Sequence, residues 1–136
     1  MNPNSHVAYA WLGKALTYAG RSEEAIDTLK KGARLAPLEH GNIALGSAYR
    51  EAGRYEEAIN EFKIVIKYRP NNIMAHQCLA GTYALAGRYE EAREAWSEVK
   101  KLDPRVTVEK MFPKPWPYGP KHRELAIANF RKAGLE

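Results

Sequence analysis

Gly53-Arg54-Tyr55-Glu56-Glu57-Ala58 recurs unchanged as Gly87-Arg88-Tyr89-Glu90-Glu91-Ala92, and with one substitution as Gly20-Arg21-Ser22-Glu23-Glu24-Ala25. The glycines stand 33 and then 34 residues apart, as do Pro37, Pro70 and Pro104 after them. A period of this size marks a stack of small supersecondary units, each burying its apolar face against its neighbours. Around the third copy the spacing predicts a helix over 73–86, a turn at Gly87 and a second helix over 89–102. Gly87 supplies the left-handed position that ends the first helix. Glu90 and Glu91 fall in the first turn of the second helix and Lys100 and Lys101 in its last, each sign suited to that end of the helix dipole. Leu79, Tyr83 and Ala86 on one helix, and Ala92, Trp96 and Val99 on the other, recur at i, i+4 and i+7 as facing apolar stripes. Asp103-Pro104 closes the unit, because proline disfavours helical geometry in the residue before it.

The 136 residues, 45% hydrophobic, are the size of one ordinary domain, with a core spread along the stack. One thiol, Cys78, makes no internal disulfide, and the apolar runs fall short of a membrane span. A cytoplasmic protein is expected. The net charge of +5 lies in the tail: residues 1–104 carry 14 Lys and Arg against 13 Asp and Glu, residues 105–136 carry 7 against 3. Lys30-Lys31 and Lys100-Lys101 sit near helix ends, where cations suit the dipole, rather than in a stripe with stacking aromatics.

The repeated residues resemble the tetratricopeptide repeat, whose pattern is a large aromatic, Leu-Gly, Tyr, then Ala, Phe and a closing Pro. Tyr9, Leu12, Gly13, Leu16, Ala25, Leu29 and Pro37 match it in the first unit. Leu45, Gly46, Tyr49, Ala58, Phe62 and Pro70 match in the second, and Leu79, Ala80, Tyr83, Ala92, Trp96 and Pro104 in the third. Asn42 and His76 replace the usual aromatic, and Val65 and Val99 the usual alanine, which predicts some looseness between the helices of units two and three. The resemblance implies an all-α, right-handed α-solenoid of three helix pairs: 6–38, 39–72 and 73–104. Asn2-Pro3-Asn4-Ser5 parallels Pro70-Asn71-Asn72, so residues 1–5 read as the end of an earlier repeat, and Ala8, Leu12 and Ala15 are expected to form an exposed apolar edge.

From Arg105 the period fails. Thr107 is expected to cap a short turn through Met111. Pro113, Pro115, Pro117 and Pro120 make 105–120 a proline-rich segment of extended or polyproline-like course. Pro120 then opens a last helix, 121–134, whose apolar face is Leu125, Ile127, Ala128 and Phe130 and whose stop is Gly134. This helix caps the last repeat, with Trp116 as an anchor, or else the segment is a detachable ligand for another domain. Leu135-Glu136 is set aside as a cloning remnant. Thr107-Val108-Glu109, Phe112-Pro113 and Arg131-Lys132-Ala133-Gly134-Leu135 also resemble the C-terminal region of bacterial class III adenylate or guanylate cyclases that carry tetratricopeptide arrays.

His6, His40, His76 and His122 are too scattered to bind a metal, and the Glu-Glu pairs recur as helix-start devices do. No phosphate loop follows a strand. No enzyme activity, cofactor, metal, small-molecule substrate or membrane is expected. Nucleic-acid binding through the basic tail is a third and lesser reading, marked by steep salt dependence. In the family the first helices of the pairs line a concave groove for a protein or peptide partner. The corresponding lining is Val7, Ala10, Lys14, His40, Ile43, Ser47, Arg50, Met74, Gln77, Gly81 and Ala84, an apolar floor with two cations. Ala10, Lys14, Ala44, Met74 and Cys78 stand where the family's chaperone-tail clamp needs its carboxylate-binding set, so that clamp is not expected. The leading reading is a non-enzymatic interaction scaffold. The alternative is the regulatory region of a signalling enzyme such as a cyclase.

Overall fold

A computed structural model describes residues 5–36 and 41–136. Among the described residues there are eight helices and no strand: α1 (His6–Tyr18), α2 (Ser22–Arg34), α3 (Ile43–Glu51), α4 (Tyr55–Tyr68), α5 (Ile73–Leu85), α6 (Tyr89–Leu102), α7 (Val108–Met111) and α8 (Pro120–Lys132). The fold is all-α, of the tetratricopeptide solenoid class. Pro3, Pro37 and His40 lie outside the described residues. The helices fall into two compact units, Met1–Pro70 and Asn71–Glu136.

In the first unit each repeated hexapeptide is a complete turn. After α3, Gly53 takes φ +78°, its N–H reaches Arg50 O, and the N–H of Arg54 reaches Tyr49 O at 2.8 Å. This double closure satisfies the orphan carbonyls at the helix end. It also brings the Arg54 guanidinium to 4.9 Å from the Tyr49 ring centroid. The same guanidinium grips Glu57 through two bonds of 2.7 Å, tying the end of α3 to the start of α4. Gly87, Arg88, Tyr83 and Glu91 repeat the arrangement between α5 and α6.

The helix pairs close on small residues. A Cβ on Gly13 would fall 2.4 Å from Leu29 Cγ, and one on Gly46 would fall 2.5 Å from Phe62 Cε1, so both glycines are fixed by close helix approach. α3 packs on both α1 and α2, burying Leu45 and Ala48. The expected looseness at the unusual positions is not found. Asn42 serves as N-cap of α3, its Oδ1 accepting from the Leu45 N–H at 3.1 Å. His76, Val65 and Val99 are all buried. Val65 fills its site closely, since a Cβ on Gly41 would meet its Cγ2 at 2.7 Å.

In the second unit, α7 and α8 carry the chain back onto the α5–α6 pair. Thr107 caps α7, accepting from the Lys110 N–H, and α8 runs from Pro120 to Lys132 with Gly134 in the left-handed region, as expected. Three expectations are corrected. Leu125 is 63% exposed and Ala128 is exposed as well, so the buried face of α8 is Ile127 and Phe130, continued by Ala133 and Leu135. Leu135, set aside above, is packed: it is 0% exposed, and its N–H closes the end of α8 on Phe130 O while Gly134 N–H closes on Arg131 O. The paired bonds place an apolar residue just past the glycine against the last helical turn. Glu136 is held too, its carbonyl accepting from Trp96 Nε1 at 2.7 Å. Finally, the proline segment is not extended. It bends at Phe112, Lys114 and Pro115 and turns at Pro117–Tyr118, where Gly119 N–H reaches Trp116 O. Aromatic contacts fold it: Trp116 meets Phe112 edge-on at 5.0 Å and donates Nε1–H to His122 Nδ1 at 3.0 Å.

Candidate functional site on the first-helix face

The residues expected to line a groove divide between the two units. In the first, Val7 and Ala10 of α1 and Ile43 of α3 line one cleft of about 370 Å³. Leu29 and Ala33 of α2 and Ala44 of α3 add to its apolar lining, and His6 and Arg69 line it as well. The Asn42 cap bounds the cleft and also engages Glu61, which accepts from the Asn42 backbone N–H. Partial burial holds the Glu61 carboxyl above its ordinary range, the bond from Asn42 opposing that rise.

The two expected cations differ. Lys14 is exposed, its Nζ 5.8 Å from the Trp11 ring centroid. Arg50 is not a solvated groove charge: its side chain is only 17% exposed and pairs with Glu51 at 3.3 Å. Adjacent residues on α3 thereby cancel in charge. Ser47 is partly covered.

In the second unit, Met74 is exposed and Gln77 partly covered on α5. Gly81 and Ala84 are buried instead of open. The reason is α8 at Gly81: an added Cβ there would fall 2.9 Å from Phe130 Cε2 and Cζ. Phe130 also meets Trp96 edge-on at 5.9 Å and Phe112 at 5.4 Å. On this pair the chain's own last helix occupies the ground where an open groove was expected.

Sequence reasoning overlooked Arg69 and the repeated arginines. Arg69 follows the end of α4, and nothing in its spacing relates it to Val7 or Ala10. The arginine after each turn glycine did carry a signal, since it is present in all three copies, but glycine, glutamate and lysine were enough to account for the helix ends. Among the described residues no three His, Cys, Asp or Glu gather as a metal site, and no helix is long and apolar enough to cross a membrane.

Comparison with known proteins agrees with this geometry. Tetratricopeptide repeat models match residues 6–37 and 43–105. No curated protein matches the chain. A solved structure of a MamA mutant matches with a TM-score of 0.64 and 31% identity over 75% of each chain. Matched by repeat models over most of its length and by a solved relative above 30% identity, the chain belongs to the tetratricopeptide repeat family.

Proposed function

We propose that the chain is a non-enzymatic, cytoplasmic interaction module that takes a peptide or helix of another protein on its first-helix face. Tetratricopeptide repeats typically bind protein partners, and the family is generally without catalytic activity. One observation carries the reading to particular residues: Val7, Ala10 and Ile43, from two helices, line one apolar cleft in the first unit. A partner side chain of apolar character suits that wall, with His6 and Arg69 also in the lining. The test is selection of binding peptides from a displayed library on the intact chain, followed by Val7→Glu and Ile43→Glu. Val7 is half exposed, so its change should leave the fold intact while weakening capture at least tenfold. Peptides that bind both variants as well as the parent would place recognition elsewhere.

A regulatory region of a larger signalling enzyme is the second reading. The residues of the cyclase-tail resemblance act together in the second unit: Val108, Phe112 and Leu135 are buried, and Glu109 pairs with Arg131. Such a segment suits a repeat array with a standard ending. A cyclase domain encoded in the same gene would favour this role, and its absence would remove it.

A further inference from the structure

The proline segment meets the start of α8 at an imidazole. His122, the third residue of α8, is half-buried, and its Nδ1 accepts the indole N–H of Trp116 at 3.0 Å. The same ring stacks on Tyr118, with centroids 4.5 Å apart and planes at 21°. Indole nitrogen is a donor only, so Nδ1 offers it a lone pair and the ring proton sits on Nε2. The bond therefore belongs to the neutral imidazole. In the protonated ring both nitrogens are donors, and an Nδ1–H would face the N–H of Trp116. Histidine is the side chain that changes charge between about pH 8 and about pH 5.

We propose that His122 is an acid-released latch on the proline segment: the neutral ring holds Trp116 against α8, and the protonated ring lets it go while keeping Tyr118. The charge would arise in the first turn of α8, at the positive end of the helix dipole and between Lys121 and Arg123 in sequence. Arg123 is turned to Phe112, donating from Nε to its carbonyl oxygen. Glu124 is exposed, and residues two apart do not share a helix face. On α7, Glu109 pairs with Arg131 and Lys110 donates to Arg105 O, while Lys114 of the segment is exposed. α5 contains no Asp or Glu, its titratable side chains being His76, Cys78 and Tyr83, and α6 reaches the far end of α8 with Arg93, which donates to Ala133 O. Tyr118 acts in the opposite sense, since an aromatic face attracts a cation. The imidazolium thus keeps its stack and loses its place as acceptor. Trp116 retains Phe112, Tyr118 and the turn bond from Gly119 N–H, all of them outside α8. The seat of Phe130 on Gly81 and the bond from Trp96 to Glu136 O involve no imidazole, so release of the segment leaves the α5–α6 pair covered.

The test follows the indole N–H signals of the 136-residue chain in proton–nitrogen correlation spectra from about pH 8 to about pH 5, assigned with Trp11→Phe and Trp116→Phe. The Trp116 signal should move upfield as its hydrogen bond is lost, with the same midpoint as the ring protons of His122. Trp96, bonded to a backbone carbonyl, should stay in place and serves as the internal control. His122→Gln supplies an acceptor that does not titrate, so in that variant the Trp116 signal should be constant over the same range. A Trp116 signal that ignores pH in the parent, or follows it equally in His122→Gln, would overturn the proposal. Joint movement of Trp96 and Trp116 would overturn it too, by making the event the melting of the whole unit. If His122→Gln fails to fold, by loss of helical circular dichroism, the parent decides alone: different midpoints for His122 and Trp116 would sink the latch.

Discussion

α1 and α5 open equivalent helix pairs, yet eight residues of α5 are buried and two of α1 are. Apolar content does not separate them, since α1 carries Val7, Trp11, Leu12, Leu16 and Tyr18. What differs is cover. α5 has α8 against it, with Phe130 seated on Gly81, whereas Trp11, Leu12 and Ala15 of α1 are exposed among the described residues. In a repeat protein the local pattern decides that a helix forms and pairs, but its neighbours decide how much of that helix leaves water. Stability is accordingly the sum of unit and interface terms, and the same substitution has different costs at equivalent positions.

The comparison breaks most sharply at α8. Phe130 is 4% exposed and meets Trp96 and Phe112, so Phe130→Ala should cost about 3–5 kcal/mol in urea unfolding. Removal of residues 105–136 should cost more than Phe130→Ala alone. A truncated chain that unfolds with the parent's midpoint would show that α8 contributes nothing to α5. The next effect tests position against cover. Leu45→Ala should cost about 2–5 kcal/mol and Leu12→Ala about 1 kcal/mol or less. Equal losses would mean that the exposed side of Leu12 contributes as much as a buried one.

The smallest expected effect separates two carboxylates on α4 by their response to pH. Burial raises Glu61, so the native state binds its proton more readily than the unfolded chain does. Its contribution to stability is therefore present at low pH and lost as pH rises through the raised value. Glu57 is lowered, chiefly by its hydrogen bonds from Arg54, and its contribution is present at neutral pH and lost as pH falls through the lowered value. Glu61→Gln should thus raise the melting temperature slightly at pH 7 and lessen the gain on acidification towards the ordinary carboxylate range. A melting temperature at pH 7 below that of the parent would mean that the charged form of Glu61 is stabilising.

The pairs were legible because their signals are local and recur: Gly87, Glu90, Ala92 and Pro104 announce a turn, a start, an interface and a stop. The tail was partly legible for the same reason, as Thr107, Pro120 and Gly134 act on their immediate neighbours. What could not be read was the meeting of distant side chains. Leu125 and Phe130 share a helix, and only the direction from which α5 approaches decides that one is open and the other covered. Leu135 looked expendable at the end of the sequence, although an apolar residue just after a helix-ending glycine is a recognisable closing signal. The expected groove suffered similarly: Val7, Ala10 and Ile43 do share a cleft, whereas Arg50 is neutralised by an adjacent residue and Gly81 is covered from α8.

The arginine turn has a consequence for the order of assembly. Gly53 bonds to Arg50, and Arg54 to Tyr49 and Glu57, so the turn's own contacts join residues within five positions of one another. Contacts of such short range close with little loss of chain entropy, and arrays of this kind can nucleate at any unit. The tail is different: Arg93 to Ala133 and Trp96 to Glu136 each bridge 40 residues. Folding should therefore begin independently at the turns, proceed by zipping each pair, and finish when the last residues of the chain close over α6.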